Sequence, residues 1–437
     1  MELNTYYIMK KIIIITLILF INTLYGQQTI YKEINSIELG ATRTIKIHLP
    51  ASYEKNSTRL YPLTVLFDAD YLFDVYVGNT NLFEKRDKAP EQIIVGIMQS
   101  EERYQDCSTD KVSGLPTEDS NKFYRFVRGE LLEYIEAKYP ISPFRTLVGS
   151  ALTANFANFF LIEDVSAFDA FVVISPSYTP DMPNFLFNKL ASIDDKNLYY
   201  YVNSGSYNKN EKHATIVKVA NSINNLGNEN VFLKFDTFQS TKTASIGQAI
   251  PAALAHIFDI YSAISIEEFN RNIAHLEPSD AIAYLENKYV EIDYLFGTNM
   301  KIRERDIYAV EGIIIDKEEG YFLEDFGIMI GRLYPETPLS DYYIGLFYEK
   351  ARKYKKALKH YKNGYAKMDS NGEDAEGFYQ NIERILELQN TSVEQEQYEE
   401  QVRKEERQAE KEQRKSEKEA EKEQRKKDRE SGKRGRR

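Results

Sequence analysis

The sequence has no tryptophan, a single cysteine and only five histidines among 437 residues. One cysteine, Cys107, excludes an intramolecular disulfide and a thiolate metal cluster built by this chain alone. No two histidines stand at a zinc-ligand spacing such as HxxxH, so we predict no metal site and no other cofactor. The net charge of −11 argues against a general nucleic-acid-binding protein, and we expect no nucleic-acid partner.

The first 26 residues have the layout of a secretory signal peptide. Two lysines follow Met9, a short apolar run comes next, and the small Gly26 precedes Gln27. The apolar run is short for a membrane span, and an uncleaved N-terminal anchor is the alternative interpretation. We expect the true start at Met9, a signal peptide that ends at residue 26, and export to the periplasm or beyond. No transmembrane span would remain after cleavage.

Strand-like and helix-like patterns alternate over residues 27–265. Residues 42–50 alternate apolar and polar side chains, as a half-exposed strand does. Short and nearly continuous apolar runs, which are typical of buried parallel strands, follow in YPLTVLFDAD, EQIIVGIM, FRTLVGS, FDAFVVISP, NLYYYVNSG and VFLKFDTF. Helix-period segments separate these runs. Repeated βα units of this kind predict an α/β domain with a doubly wound, mostly parallel sheet.

Residues 266–390 change to helical patterns. The clearest stretch is DYYIGLFYEKARKYKKALKHYKNGYAKMD. Small and aromatic residues stand there where the 34-residue tetratricopeptide pattern requires them, at Gly345, Tyr348, Ala357, Tyr361 and Gly364. We predict an all-α, tetratricopeptide-like domain whose surface is suited to a protein partner. An ordinary helical hairpin is the alternative.

Residues 391–437 form a charged, low-complexity tail. AEKEQRK occurs at 409 and again at 420, and apolar residues are too few for the seam of a coiled coil. We predict a solvated tail that is helical or disordered. Its basic end, GKRGRR, has the charge to contact an anionic surface or a neighbouring component.

The segment RTLVGSALTANF, residues 145–156, reads as a buried strand, a sharp turn and the first turn of a helix. Hydrolases of the α/β class hold their nucleophilic serine on such a turn, and the acid and the histidine follow later in the chain. The histidine is the base, and the acid holds its tautomer. Activity therefore depends on whether Ser150 or Ala151 occupies the nucleophile position.

Residues 30–265 resemble the putative-esterase family of the α/β-hydrolases, which has enterochelin-esterase-like and feruloyl-esterase-like members. The resemblance rests on LPASY, LFDADYLF, IIVGIMQSEERYQDCSTD, residues 114–156 and ISPSY, which match in order and spacing. It implies an α/β-hydrolase fold and a site for carboxylic esters. Members of this family with a tetratricopeptide-like C-terminus have the same layout.

The same resemblance places altered residues at all three triad positions. The family's Gly-His-Ser pattern, laid on VGSALTANF without a gap, puts Ser150 on the histidine and Ala151 on the nucleophile. Asn208 stands where the acid is expected, and Lys242 stands where the catalytic histidine is expected. A methyl group cannot attack an ester. We therefore expect a protein that has lost its triad and acts in binding or as a scaffold.

Backbone donors survive the loss of catalytic side chains. The resemblance implies an oxyanion hole formed by the N–H of Leu152 and an N–H in the loop of Ala69 and Asp70. We expect the cleft to bind a carbonyl or a carboxylate ligand. Lys242 would add a positive charge at the mouth of the cleft.

Other residues keep catalytic interpretations open. Ser150 with Lys242 would form a Ser–Lys pair, and the protein would then be an active carboxylic-ester hydrolase with an unconventional base. Cys107 is a candidate nucleophile in a polar loop. Asp68 and Asp70 are a candidate metal pair, although such residues more often cap the turn after the third strand of this fold.

Overall fold

The computed structural model describes residues 28–53, 58–205, 211–316, 320–368 and 373–434. The predicted signal peptide and the predicted acid position, Asn208, lie outside the described residues. The described chain forms two compact units. One comprises residues 28–271 and 284–307, and the other comprises residues 272–283 and 308–434.

The first unit is built on one eight-stranded sheet. Its strands are β1 (Gln28–Ser36), β2 (Ala41–Leu49), β3 (Tyr61–Leu66), β4 (Ile93–Ile97), β5 (Ile141–Ser150), β6 (Ala170–Ile174), β7 (Leu198–Gly205) and β8 (Val231–Phe238). They lie in the order β1-β2-β4-β3-β5-β6-β7-β8. The pairs β1–β2 and β2–β4 are antiparallel, and the other neighbours are parallel. The predicted mostly parallel α/β-hydrolase sheet is confirmed.

Helices connect the strands and then continue beyond the sheet. Those between strands are α1 (Phe73–Lys85), α2 (Arg103–Cys107), α3 (Glu118–Arg125), α4 (Leu132–Lys138), α5 (Leu152–Glu163), α6 (Met182–Ala191) and α7 (Glu211–Asn224). A π-helical turn, Phe126–Leu131, joins α3 to α4, so the single helix predicted there has a widened centre. After the sheet come α8 (Lys242–Ile257), α9 (Ile266–Glu268), α10 (Pro278–Phe296), α11 (Glu304–Ile315), α12 (Phe322–Leu333), α13 (Leu339–Lys350), α14 (Tyr354–Ala366) and α15 (Glu373–Arg434).

Two apolar cores lie on opposite faces of the sheet. Along β6, Phe171 and Val173 join one core, whereas Val172 and Ile174 join the other. Successive side chains of a strand point to opposite faces, so a strand buried on both faces carries apolar residues at every position. This explains the continuous apolar runs in the sequence. Because β3, β5, β6, β7 and β8 run parallel, their carboxyl ends lie at one edge of the sheet, where ligand sites of open α/β sheets form.

Strand β1 is the element that the sequence pattern did not reveal. It pairs with β2 at the edge of the sheet. Its segment, QTIYKEINS, is largely polar, and the Tyr31 side chain is exposed. An edge strand is held mainly by main-chain hydrogen bonds, which leave little trace in residue type.

The second unit is a run of helices that approach each other closely at glycines. A Cβ atom at Gly327 would meet Ile344, one at Gly345 would meet Tyr361, and one at Gly364 would meet Phe378. These contacts link α12 to α13, α13 to α14 and α14 to α15. The predicted C-terminal helical region is confirmed, and its tetratricopeptide likeness stays a prediction.

Helix α15 has 62 residues, which corresponds to a length of about 93 Å at 1.5 Å per residue. It continues without a break through residue 390, where the change in composition suggested a boundary. The charged part lacks glycine and proline until Gly432, so nothing in its sequence ends the helix. Exposed pairs four residues apart support it, among them Glu400–Lys404 and Glu421–Arg425. Within the described ranges, no helix is both long and apolar enough to cross a membrane.

Candidate functional site

A sharp turn at Gly149–Thr153, here called the elbow, joins β5 to α5. Ala151 lies at its apex with φ 55° and ψ −103°. Its N–H donates to the carbonyl of Ile174 at 2.9 Å, and its own carbonyl accepts from the N–H of Ser177 at 3.0 Å. A residue with a Cβ costs roughly 1–2 kcal/mol in a left-handed backbone conformation. These two hydrogen bonds to the chain after β6 hold the turn in place.

The neighbours of Ala151 have separate structural roles. A Cβ atom at Gly149 would lie 2.6 Å from the carbonyl oxygen of Thr153, so only glycine lets strand and helix approach this closely. Ser150 ends β5 with 1% of its surface exposed. Its Oγ is buried without a hydrogen-bond partner among the described residues. The structure therefore places the methyl group of Ala151 at the apex and the hydroxyl of Ser150 inside.

A charged network lies behind the elbow. Asp68, 1% exposed, forms a salt bridge with Arg103 and accepts from the hydroxyls of Tyr71 at 2.8 Å and Thr153 at 2.7 Å. The guanidinium of Arg103 also donates to the carbonyl of Ser150 at 3.0 Å. Burial and the charge of Asp68 raise the pKa of Tyr71 to about 12. The carboxylate of Asp68 is thus occupied by contacts that hold the elbow and is not available as a metal ligand.

The carboxylate of Asp70 is also occupied by hydrogen bonds. Its carboxylate accepts from the N–H groups of Gln99 and Ser100, each at 3.0 Å. Burial alone would raise the pKa of Asp70, but these hydrogen bonds hold it below its ordinary value. No cluster of three or more His, Cys, Asp or Glu side chains suited to a metal occurs in the described part of the chain.

The oxyanion donors expected from the resemblance differ in availability. The Leu152 N–H is the first of α5, and first-turn amides have no acceptor within their own helix. The Ala69 N–H donates to the carbonyl of Ile97 at 3.1 Å. Ala69 is therefore a wrong choice of donor, since its amide continues the bonding between β3 and β4. Among the main-chain hydrogen bonds of the described residues, neither the N–H of Asp70 nor that of Leu152 has a carbonyl acceptor, so both stay expected donors.

Lys242 is the first residue of α8, and its side chain is exposed. It follows β8, at the same edge of the sheet as the elbow. Lys212, on α7, donates to the hydroxyl of Ser177 at 3.0 Å. Burial and the nearby charge of Lys242 lower the pKa of Lys212 to about 8. The structure thus brings together Ala151, Ser177 and two lysines, and it leaves the Oγ of Ser150 apart from both lysines.

Three histidines and the candidate nucleophile Cys107 have other contacts or surroundings that do not suit catalysis at the elbow. The ring of His213 bonds the Ser204 hydroxyl at 2.8 Å, that of His256 bonds the Phe232 carbonyl at 2.8 Å, and His360 pairs with Asp341. Cys107 is fully buried. Burial and the charge of Asp106 raise the pKa of its thiol, which does not suit a nucleophile.

Three residues of this region were missed from the sequence: Arg103, Ser177 and Lys212. Ser177 lies in the ISPSY segment that carries the resemblance, and Lys212 follows the strand after which an acid is expected. The sequence thus marks each of these two segments. It does not indicate that Lys212 contacts Ser177, 35 positions earlier, because this contact depends on the adjacency of β6 and β7 in the sheet.

Comparisons with known proteins agree with this architecture. Residues 36–237 match the family model described as "Putative esterase". No curated protein matches the chain. The crystal structure of an uncharacterised protein from Capnocytophaga ochracea is similar, with 26% identity and a TM-score of 0.69 over 82% of this chain and 99% of that one.

A second similar structure is that of an IroE-like serine hydrolase from Shewanella oneidensis. It has 19% identity and a TM-score of 0.52, and the match covers 71% of this chain and 99% of that one. At this identity the similarity establishes the fold alone.

Proposed function

Since residues 36–237 match the model of the putative-esterase family, we propose that this protein is an exported member that has lost its catalytic triad. It binds a carbonyl or carboxylate ligand in its cleft, or a protein partner, without turning over an ester through the elbow. The observation that carries the proposal is Ala151 at the apex, with the positive φ of a nucleophile turn and a methyl group in place of a nucleophile.

The surroundings of the apex support the same function. By the resemblance, Lys242 stands where the catalytic histidine is expected, and its side chain is exposed. The described contacts of His213 and His256 lead to Ser204 and to a main-chain carbonyl. Among the described residues, no hydrogen bond joins the hydroxyl of Ser150 to a base, and a nucleophile needs a base within hydrogen-bond reach.

Hydrolysis of p-nitrophenyl acetate and butyrate tests this proposal directly. We expect the wild-type protein to hydrolyse both at the uncatalysed rate, and Ser150→Ala to leave that rate unchanged. Ala151→Ser also stays at background, because a serine without its base loses nearly all triad catalysis. A clear wild-type rate that Ser150→Ala abolishes would overturn the proposal. Circular dichroism of each variant shows that the fold is intact.

One observation favours a second function, a hydrolase based on a different pair. The Nζ of Lys212 lies 3.0 Å from the Oγ of Ser177. A neutral Lys212 would accept the proton as Ser177 attacks the acyl carbon, the alcohol would leave, and water would release the acid. Activity that Ser177→Ala abolishes and Ser150→Ala leaves intact would establish this function over the first. The pair expected from the sequence, Ser150 with Lys242, forms no such hydrogen bond among the described residues.

Export and partner binding are parts of the same proposal. The N-terminal layout supports export, and mass spectrometry of the protein recovered outside the cytoplasm should give an N-terminus at Gln27. An intact Met1 or Met9 in that fraction would contradict cleavage. The helical unit and the tail supply the surface for a partner. Cross-linking in cells of the full chain and of one truncated at residue 390 tests the contribution of the tail.

A further inference from the structure

Two lysines, which have no acidic partner among the described residues, lie at the edge of the sheet where the acid and the base of a hydrolase belong. Lys212 is at the start of α7, after β7, and Lys242 is at the start of α8, after β8. The first turn of α8 packs on the end of β7, since a Cβ atom at Gly205 would meet Ser245. The two helix starts are therefore neighbours.

Within the described residues, no carboxylate oxygen lies within 4 Å of either ammonium group, whereas buried Arg43 pairs with Asp106 and buried Lys288 with Glu268. Lys212 is half-buried, with one hydrogen bond to the neutral Ser177. Two adjacent like charges, one of them partly desolvated, destabilise each other unless an anion joins them.

The pair is connected to the elbow through Ser177. Its Oγ accepts from Lys212, and its N–H donates to the carbonyl of Ala151 at 3.0 Å. On the other side of Ala151 stands the N–H of Leu152, at the N-terminus of the 12-residue helix α5. Ser177 and Leu152 thus flank Ala151, and Lys212 is hydrogen-bonded to Ser177.

We propose that Lys212 and Lys242 bind the carboxylate of a small organic acid beside Ala151. This inference rests on the proposed function, because it names the ligand class for the same cleft. One carboxylate oxygen meets the ammonium groups, and the other faces the N–H of Leu152. The ligand then has the chemical form of the acid product of an ester hydrolase.

Charge decides between a carboxylate and a neutral carbonyl ligand. Burial and the nearby charge of Lys242 lower the pKa of Lys212 to about 8, and a carboxylate beside the amine would raise it again. An amide or an ester has the same carbonyl oxygen but no charge, so it would use the Leu152 donor alone. A charge-assisted hydrogen bond is roughly twice as strong as a neutral one. We therefore expect a preference for acids of at least tenfold over amides of the same shape.

Isothermal titration calorimetry of the full chain at pH 7 with butyrate, benzoate, butyramide and benzamide tests the proposal. We expect the acids to bind and the amides to bind at least tenfold more weakly. Lys212→Met and Lys242→Met should each weaken acid binding about tenfold or more. Lys218→Met is the matched control, because Lys218 is exposed on the same helix α7 and should leave binding unchanged.

The other outcomes of these titrations would overturn all or part of the proposal. If acids and amides bind equally, or if the two lysine variants bind as the wild type does, the carboxylate proposal is wrong while a ligand-binding cleft remains. If none of the four compounds binds, both the carboxylate proposal and the binding cleft fail. Inorganic phosphate that displaces butyrate at equal concentration would assign the pair to anions in general and overturn the preference. The ester assay, run separately, decides whether the triad is lost.

Discussion

The hydroxyl of Thr153, on the first turn of α5, donates a 2.7 Å hydrogen bond to the buried carboxylate of Asp68. Asp68 lies after β3, so this bond ties the elbow to the neighbouring strand. The same carboxylate pairs with Arg103, which in turn bonds the main chain of Ser150. The ion pair of Asp68 with Arg103 and its hydrogen bonds therefore hold the elbow in place, although Ala151 at the apex is not a nucleophile.

Removing Arg103 should destabilise the fold strongly. Arg103→Met leaves Asp68, 1% exposed, without its counter-ion, and breaking a buried ion pair from one side costs about 3–5 kcal/mol. We expect a loss of roughly 3 kcal/mol in the free energy of unfolding, measured by urea denaturation. Arg125→Met, which removes an exposed pair with Glu38, should leave the urea midpoint nearly unchanged. Equal midpoints for both variants would show that the network is not structural.

Glycine at position 151 should relieve backbone strain. Ala151 has φ 55°, and the cost of about 1–2 kcal/mol for a side chain there disappears with glycine. The greater freedom of glycine in the unfolded chain offsets about 0.5–1 kcal/mol of that gain. Ala151→Gly should therefore unfold with unchanged or slightly higher free energy.

The matched control for this change is Ala154→Gly, one turn into the same helix. Ala154 is buried in ordinary helical conformation, so glycine should lower the free energy of unfolding by about 1 kcal/mol or more. Urea melts of the two variants should differ by about 2 kcal/mol. Equal losses would mean that the turn at Ala151 is not strained.

The close approach of β5 and α5 at Gly149 should not tolerate a methyl group. An added Cβ would lie 2.6 Å from a main-chain oxygen that cannot move without shifting the elbow. We expect Gly149→Ala to lower the free energy of unfolding by about 2–3 kcal/mol. Gly78→Ala on α1, where an added Cβ meets nothing within 4 Å, should instead raise it by up to about 1 kcal/mol. Thermal melts of the pair should shift in opposite directions.

The stability of the first unit should fall as pH rises between about 4.5 and 8. Burial and the charge of Glu91 raise the pKa of Glu84 from 4.5 to about 8, against the weaker opposing effects of Arg59 and Lys85. In this window the folded protein keeps a proton that the unfolded chain releases. Rising pH therefore favours unfolding, by up to about 1.4 kcal/mol per pH unit. Above pH 8 both states are ionised at this group and the loss is complete.

Glu84→Gln removes this titration and tests its direction. The variant should lose less stability than the wild type from pH 5 to pH 8, so its advantage grows with pH. Its amide oxygen can still accept the N–H of Gln92 that Glu84 accepts at 3.2 Å. Glu33→Gln, at an exposed position on β1, controls for the loss of one negative charge. Parallel stability curves for wild type and Glu84→Gln would contradict the raised pKa.

The central strands were predictable because burial on both faces of a sheet leaves short, nearly continuous apolar runs. Helices of the sheet unit were predictable where apolar residues recur at helical spacing. Strand β1 was not predictable, since an edge strand is stabilised by main-chain bonds that any residue can make. Within the site, the gap-free match of VGSALTANF already placed Ala151 on the nucleophile position. Ala69 was assigned wrongly because whether an amide is free depends on its bonding partner, here the carbonyl of Ile97.

By itself the sequence determined the order of βα units, the methyl group at 151 and the absence of a histidine from the segment between β8 and α8, since these depend on residue identity and chain order. Only the tertiary structure decided that Lys212 contacts Ser177, that Lys242 lies nearby, and that Arg103 forms an ion pair with Asp68. These contacts join distant segments at one edge of the sheet. Strand order, which local residue patterns do not encode, sets which loops meet there.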